Sequence, residues 1–149
     1  MRNNIFVIIR LVLGVLFIIS GLEKALGPTE NFLYVIQGYE ILPDALARLA
    51  AVGFPWIELI VGVFILLGLW LDVALKALAL ISVFLIGMVG QAIARNLPLD
   101  NCGCFGSLIH LPLRGVILVD VTVLICTIIC LKNIARSSRF SLDGLYVKK

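Results

Sequence analysis

A chain of 149 residues carrying a net charge of +3 is long enough for one domain. It is 62% apolar and only 14% charged, whereas soluble domains draw about half their residues from the apolar set and about a quarter from the charged set. That excludes an ordinary water-soluble globule, and the small net charge gives no ground for a nucleic-acid partner.

The apolar residues fall into four blocks of roughly the length that crosses a bilayer, about 20 residues each. The predicted transmembrane helices span 5–24, 54–71, 73–95 and 111–132. None alternates strictly, which argues against lipid-facing strands. The fold class expected is therefore all-α: an integral membrane four-helix bundle. The first block follows Met1-Arg2 but exceeds a signal peptide's apolar core, and no small-x-small cleavage site follows it. It reads as a retained helix. Arg10 lies within it near one end, where its long stem allows snorkelling to the headgroups.

Between the first two blocks, Pro28 suits the first position of a helix. Phe32, Val35, Ile36 and Tyr39 then recur at helical spacing, and Pro43 ends the segment. A short amphipathic helix in the first outward loop is predicted, with Tyr34, Tyr39 and Trp56 at headgroup level. The second block is short, and the run from Ala45 to Pro55 offers an extension on its N-terminal side. Asp72 is the only charge between the second and third blocks, so that connection must be tight.

Four spans put both termini on one side. Arg2, Lys76, Lys132, Arg136, Arg139, Lys148 and Lys149 would share it, and they outnumber Lys24, Arg48, Arg95 and Arg114 on the other. The excess of basic residues marks the cytoplasmic side. The expectation is a bacterial inner-membrane protein, multi-pass, with both termini cytoplasmic and two long connections facing the periplasm.

The second of these connections holds Asp100-Asn101-Cys102-Gly103-Cys104-Phe105-Gly106, on the side where thiols can oxidise. In extended chain the two cysteine Cα atoms stand roughly 6.6–6.8 Å apart, at the edge of disulfide geometry. Gly103 lets the backbone tighten to close the bond. A ring this small would be strained, and strained exposed disulfides are the exchangeable ones. Three readings stay open: a redox-active pair, a structural disulfide or unremarkable thiols, and a soft-metal site to which His110 offers a third ligand.

Polar residues reach one depth below that loop: Lys24 near the end of the first helix, Glu58 in the second, Gln91 and Arg95 in the third, and Asp120 in the fourth. Ionisable groups inside a span are functional candidates by default. Lys24 or Arg95 would favour a thiolate, and Glu58 or Asp120 would carry protons. The plainer alternative is that these groups pair with one another and tie the helices together. Cys126 and Cys130 lie four residues apart, remote from the loop. Buried free cysteine behaves as a small hydrophobe, so packing is the first reading and a thiol relay of a carrier the second. The pairs Gly14 and Gly21, Gly62 and Gly68, and Gly87 and Gly90 suit close helix approach.

The Cys102-Gly103-Cys104-Phe105-Gly106 run resembles the signature of the MauE branch of the DoxX-like membrane proteins. Arg10, Gly14, the run Ser20 to Lys24, Glu58 and Gly62 fit the wider family loosely. The resemblance implies that 1–149 forms a single membrane domain related in plan to quinone-linked disulfide makers. It implies maturation of a disulfide-rich periplasmic subunit for MauE, and sulfur oxidation and quinone for the DoxX-like relatives. The chain departs from the quinone-linked disulfide makers in lacking Cys-x-x-Cys at the outer end of a helix. The function expected is thiol–disulfide exchange, with Cys102 and Cys104 catalytic. A lipid bilayer, a periplasmic thiol or disulfide protein and quinone are the implied partners, with homo- or hetero-oligomers left open. The rivals are a soft-metal or small-molecule carrier using Cys102, Cys104, Cys126, Cys130 and His110, and a non-catalytic scaffold subunit.

Overall fold

The structure, a computed structural model, describes residues 4–95 and 113–137. Cys102, Cys104 and His110 lie outside the described residues. Among those described, the elements in chain order are α1 (Asn4–Leu26), α2 (Thr29–Gly38), α3 (Asp44–Leu67), α4 (Leu71–Ala94), α5 (Leu113–Lys132) and α6 (Ile134–Ser137). Helices α1, α3, α4 and α5 are long and apolar enough to cross a membrane. Large apolar side chains such as Leu80, Val83 and Leu118 point outward and are more than half exposed. A helix apolar on all sides belongs in lipid, so the chain is a multi-pass membrane protein with all-α architecture.

The four spans run alternately up and down. One end of the bundle holds the buried cation Lys24, and the other holds Arg10. Helix α1 packs closely on α3, and glycine makes that possible. A Cβ on Gly62 would stand 2.9 Å from the Ile18 backbone nitrogen, and one on Gly21 would stand 2.8 Å from that of Leu59. Small residues at such crossings let backbones approach and gain dispersion contact. Gly87 and Gly90 are different, with nothing within 4 Å of a Cβ built on either. Their spacing suggests a packing face, but among the described residues they meet open space.

Below these crossings Leu13, Phe17, Ile65, Leu75 and Leu78 form the main core with Val123 and Cys130. Helix α2 sits over the Lys24 end. Its Ile36 packs with Ala47 and Ala51 of α3, while Tyr39, just past it, packs with Val89, Ala92 and Val116 of α4 and α5. Pro28 precedes α2 as its cap rather than opening it, with its carbonyl accepting from the Asn31 amide at 3.0 Å.

Helix α3 begins at Asp44, well before the apolar block, and carries Pro55 inside it. Proline removes one helical hydrogen bond, which membrane helices tolerate where neighbours compensate. Here Pro55 is buried against α1, its carbonyl lying 2.9 Å from where a Gly21 Cβ would be. The turn from α3 to α4 comes earlier than expected. Gly68 ends α3 in the left-handed region at φ 69°, followed by Trp70 at φ 44°. Asp72 is already in the first turn of α4, paired with Lys76 one turn on.

Arg10 does not snorkel. It is 2% exposed and donates to the Ser137 carbonyl oxygen at 2.8 Å. The last carbonyls of a helix have no partner within it, and α6 turns back so that Arg10 supplies one. Burial with a satisfied donor replaces the headgroup contact expected from the sequence.

Candidate functional site

The Lys24 end collects polar groups from three of the four spans. Lys24 Nζ meets Glu58 Oε2 at 2.7 Å, with both side chains 2% exposed. The Ser20 hydroxyl, one turn before Lys24, donates to the same oxygen at 3.4 Å. The close α1–α3 crossing at Gly21 is what brings these groups within reach. The ammonium also lies over two rings, 5.3 Å from the Phe32 centroid and 5.8 Å from that of Phe54. Those rings are stacked with centroids 6.4 Å apart. A cation so held gains from the ring quadrupoles as well as from the carboxylate.

Asp120 enters from α5. It is 6% exposed and lies within electrostatic reach of Lys24, Glu58 and Tyr39. Its Oδ2 finds no hydrogen-bond donor among the described residues. One buried cation therefore stands among two buried carboxyl groups. Burial, and then the Asp120 carboxylate, push the Tyr39 hydroxyl up to about 12. Because the folded value lies above the unfolded value of about 10, this contribution is complete below pH 10 and is lost as pH rises toward 12. Tyr39→Phe is expected to remove that component of alkaline unfolding, read as a shallower fall of the thermal midpoint between pH 10 and 12.

Not every expected member joins this group. Gln91 points its amide oxygen into the packing, where it has no donor among the described residues. Arg95 stays outside, pairing with Glu40 at 3.1 Å where both side chains are about half exposed. The pair joins the end of α4 to the turn after α2, and salt bridges this wet contribute little, about 0–1 kcal/mol. Glu40 adopts φ 53° there. Sequence reasoning missed Ser20, Phe32, Phe54 and Tyr39 as neighbours of the ion pair. Ser20 alone carried a signal, since it stands four residues before Lys24 on one helix face.

Cys126 and Cys130 are free thiols at the opposite end. Cys130 is completely buried, its thiol 3.9 Å from the Phe6 carbonyl oxygen, while Cys126 is half-buried. The buried polar cluster and these thiols thus occupy different ends of the bundle.

A family model described as methylamine utilisation protein MauE matches residues 2–132. The chain belongs to the MauE family. The methylamine utilization protein MauE of Paracoccus denitrificans is 29% identical over 126 residues, covering 80% of this chain and 67% of that protein. No solved structure matches the chain. The MauE match takes in α1 to α5, every residue of the buried cluster and the Cys102–Cys104 segment, and it stops at Lys132 before α6.

Proposed function

We propose that this chain is a membrane thiol–disulfide redox protein in which Cys102 and Cys104 exchange a disulfide with a periplasmic partner. The observation that carries the reading is the buried Lys24–Glu58 pair with Asp120 close by. It lies at the end of the bundle where α4 stops and α5 starts, and so where the segment bearing Cys102 and Cys104 is anchored. That end is assigned to the periplasm, with both termini cytoplasmic in a bacterial inner membrane. The DoxX-like kinship belongs to the same proposal.

In the exchange, a partner thiolate attacks one sulfur of the Cys102–Cys104 disulfide and forms a mixed disulfide. The partner's second thiolate then displaces the loop cysteine. The partner leaves oxidised, and the loop keeps two electrons and, after protonation, two protons as a dithiol. Regeneration needs a two-electron acceptor, and a lipid-soluble quinone from the bilayer would supply that chemistry. Glu58 and Asp120 are placed to accept the protons released, and Lys24 holds Glu58 in position. The relative's name concerns methylamine utilisation. The partner proposed here is accordingly a disulfide-bearing component of an amine-oxidising system.

Serine variants of each cysteine pair test the proposal. Cys102→Ser with Cys104→Ser is expected to abolish partner oxidation in membranes, followed by alkylation of the partner's free thiols. Cys126→Ser with Cys130→Ser is expected to retain it within about twofold. Equal dependence on both pairs would favour a carrier, and dependence on neither a scaffold.

A further inference from the structure

A cavity of about 80 Å³ lies beside the ion pair, walled by α2, α3 and α4. Phe32, Phe54, Phe84 and Leu85 line it, and among the described residues Lys24 is its only charged lining residue. Phe84 is 51% exposed on α4, a helix long and apolar enough to cross a membrane, so the cavity borders a surface that faces lipid. A space this size on the same measure would hold several waters, but its walls offer them too few polar partners. An apolar ring is the better occupant.

We infer that this cavity is a binding site for a neutral, apolar, carbonyl-bearing molecule drawn from the bilayer. Three features select that chemistry. The aromatic and aliphatic walls favour an apolar body. The ammonium has three donors, of which contacts among the described residues use one, to Glu58, so an acceptor oxygen on the ligand finds a donor in the lining. Charge selects the third property. Glu58 already neutralises Lys24, and Asp120 lies within electrostatic reach of both, so an anionic headgroup meets no uncompensated positive charge. A neutral carbonyl suits the site better than a carboxylate. Quinones and glycerolipid esters share this chemistry. The site itself stands apart from the cysteine chemistry; only its use by an electron acceptor rests on the exchange reading.

The test is calorimetric titration of the full chain in detergent, carrying Cys102→Ser and Cys104→Ser so that no redox step contributes. The probes are a decyl-substituted benzoquinone, dioctanoylglycerol and oleate. Saturable binding of at least one neutral probe at one site per chain is expected, with oleate at least tenfold weaker. Leu85→Trp, which fills the cavity and leaves Lys24 and Glu58 in place, is expected to weaken binding tenfold or more. Ala50→Phe, on the α3 wall, takes its role if that variant does not fold. Preference for the benzoquinone assigns the site to quinone-type ligands, and preference for dioctanoylglycerol to a lipid ester; either upholds it. No saturation by either neutral probe, unchanged binding in a folded cavity-filling variant, or tighter binding of oleate would overturn it. Because the cysteines are absent throughout, such a failure would leave the exchange proposal standing.

Discussion

Replacing Lys24 with methionine is expected to cost about 3–5 kcal/mol of stability, because it leaves Glu58 buried without its partner. The pair is 2% exposed on each side and the ammonium sits over two aromatic rings, so water cannot take the lost partner's place. The second arm of the experiment matters as much. Lys24→Met combined with Glu58→Leu is expected to recover most of the loss, since no uncompensated buried charge remains. Thermal unfolding of purified protein in detergent reads both. If the pair only fastened α1 to α3, partner oxidation would return with stability in the double variant. If Glu58 takes up the protons released when the dithiol is reoxidised, stability returns and activity does not.

Gly62→Leu is expected to be as damaging for a steric reason. Even a Cβ there would lie 2.9 Å from the Ile18 backbone nitrogen and 3.1 Å from the Gly14 carbonyl oxygen. Backbone atoms of a packed helix cannot swing aside as a side chain can, so α1 and α3 must separate. Overpacking typically costs about 1–3 kcal/mol, and this site should reach the top of that range or exceed it. Separation would also pull Lys24 from Glu58, coupling the two defects. Gly87→Ala and Gly90→Ala have open space before them and are expected to be neutral. Folded yield by size-exclusion chromatography distinguishes the two classes directly.

The glycines also show how much of the fold was legible in the sequence. Spacing marks Gly14, Gly21, Gly62, Gly68, Gly87 and Gly90 alike, yet among the described residues Gly14, Gly21 and Gly62 lie at a crossing, while Gly68 ends α3. Periodicity places residues on a helix face but does not say which neighbour that face meets. Helix α2 was readable because Pro28 and the apolar spacing from Phe32 to Tyr39 are local signals. The start of α3 was readable only in part. Pro55 looks like a boundary, so the span reads from residue 54, with Ala45 to Pro55 as an optional extension. The structure takes the extension and keeps Pro55 inside the helix, packed on α1.

The same division runs through the site. Lys24, Glu58 and Asp120 could be brought to one depth by counting residues along each helix. Their pairing, and the exclusion of Arg95, depended on side-chain direction. Arg95 finds Glu40 at the surface, a contact between residues 55 apart in the chain that no spacing rule anticipates. Arg10 is a harder case, since its acceptor is a backbone carbonyl 127 residues away. Phe32 and Phe54 read as ordinary apolar residues, and only their stacking under the Lys24 ammonium gives them a part in the site.

The central claim, an exchangeable disulfide between Cys102 and Cys104, is tested most directly by its redox state in intact membranes. With Cys126 and Cys130 changed to serine, a membrane-impermeant maleimide is applied before and after mild reduction. The account predicts no labelling until reduction, then two labels per chain, with an oxidising midpoint potential. Full labelling without reduction would contradict it.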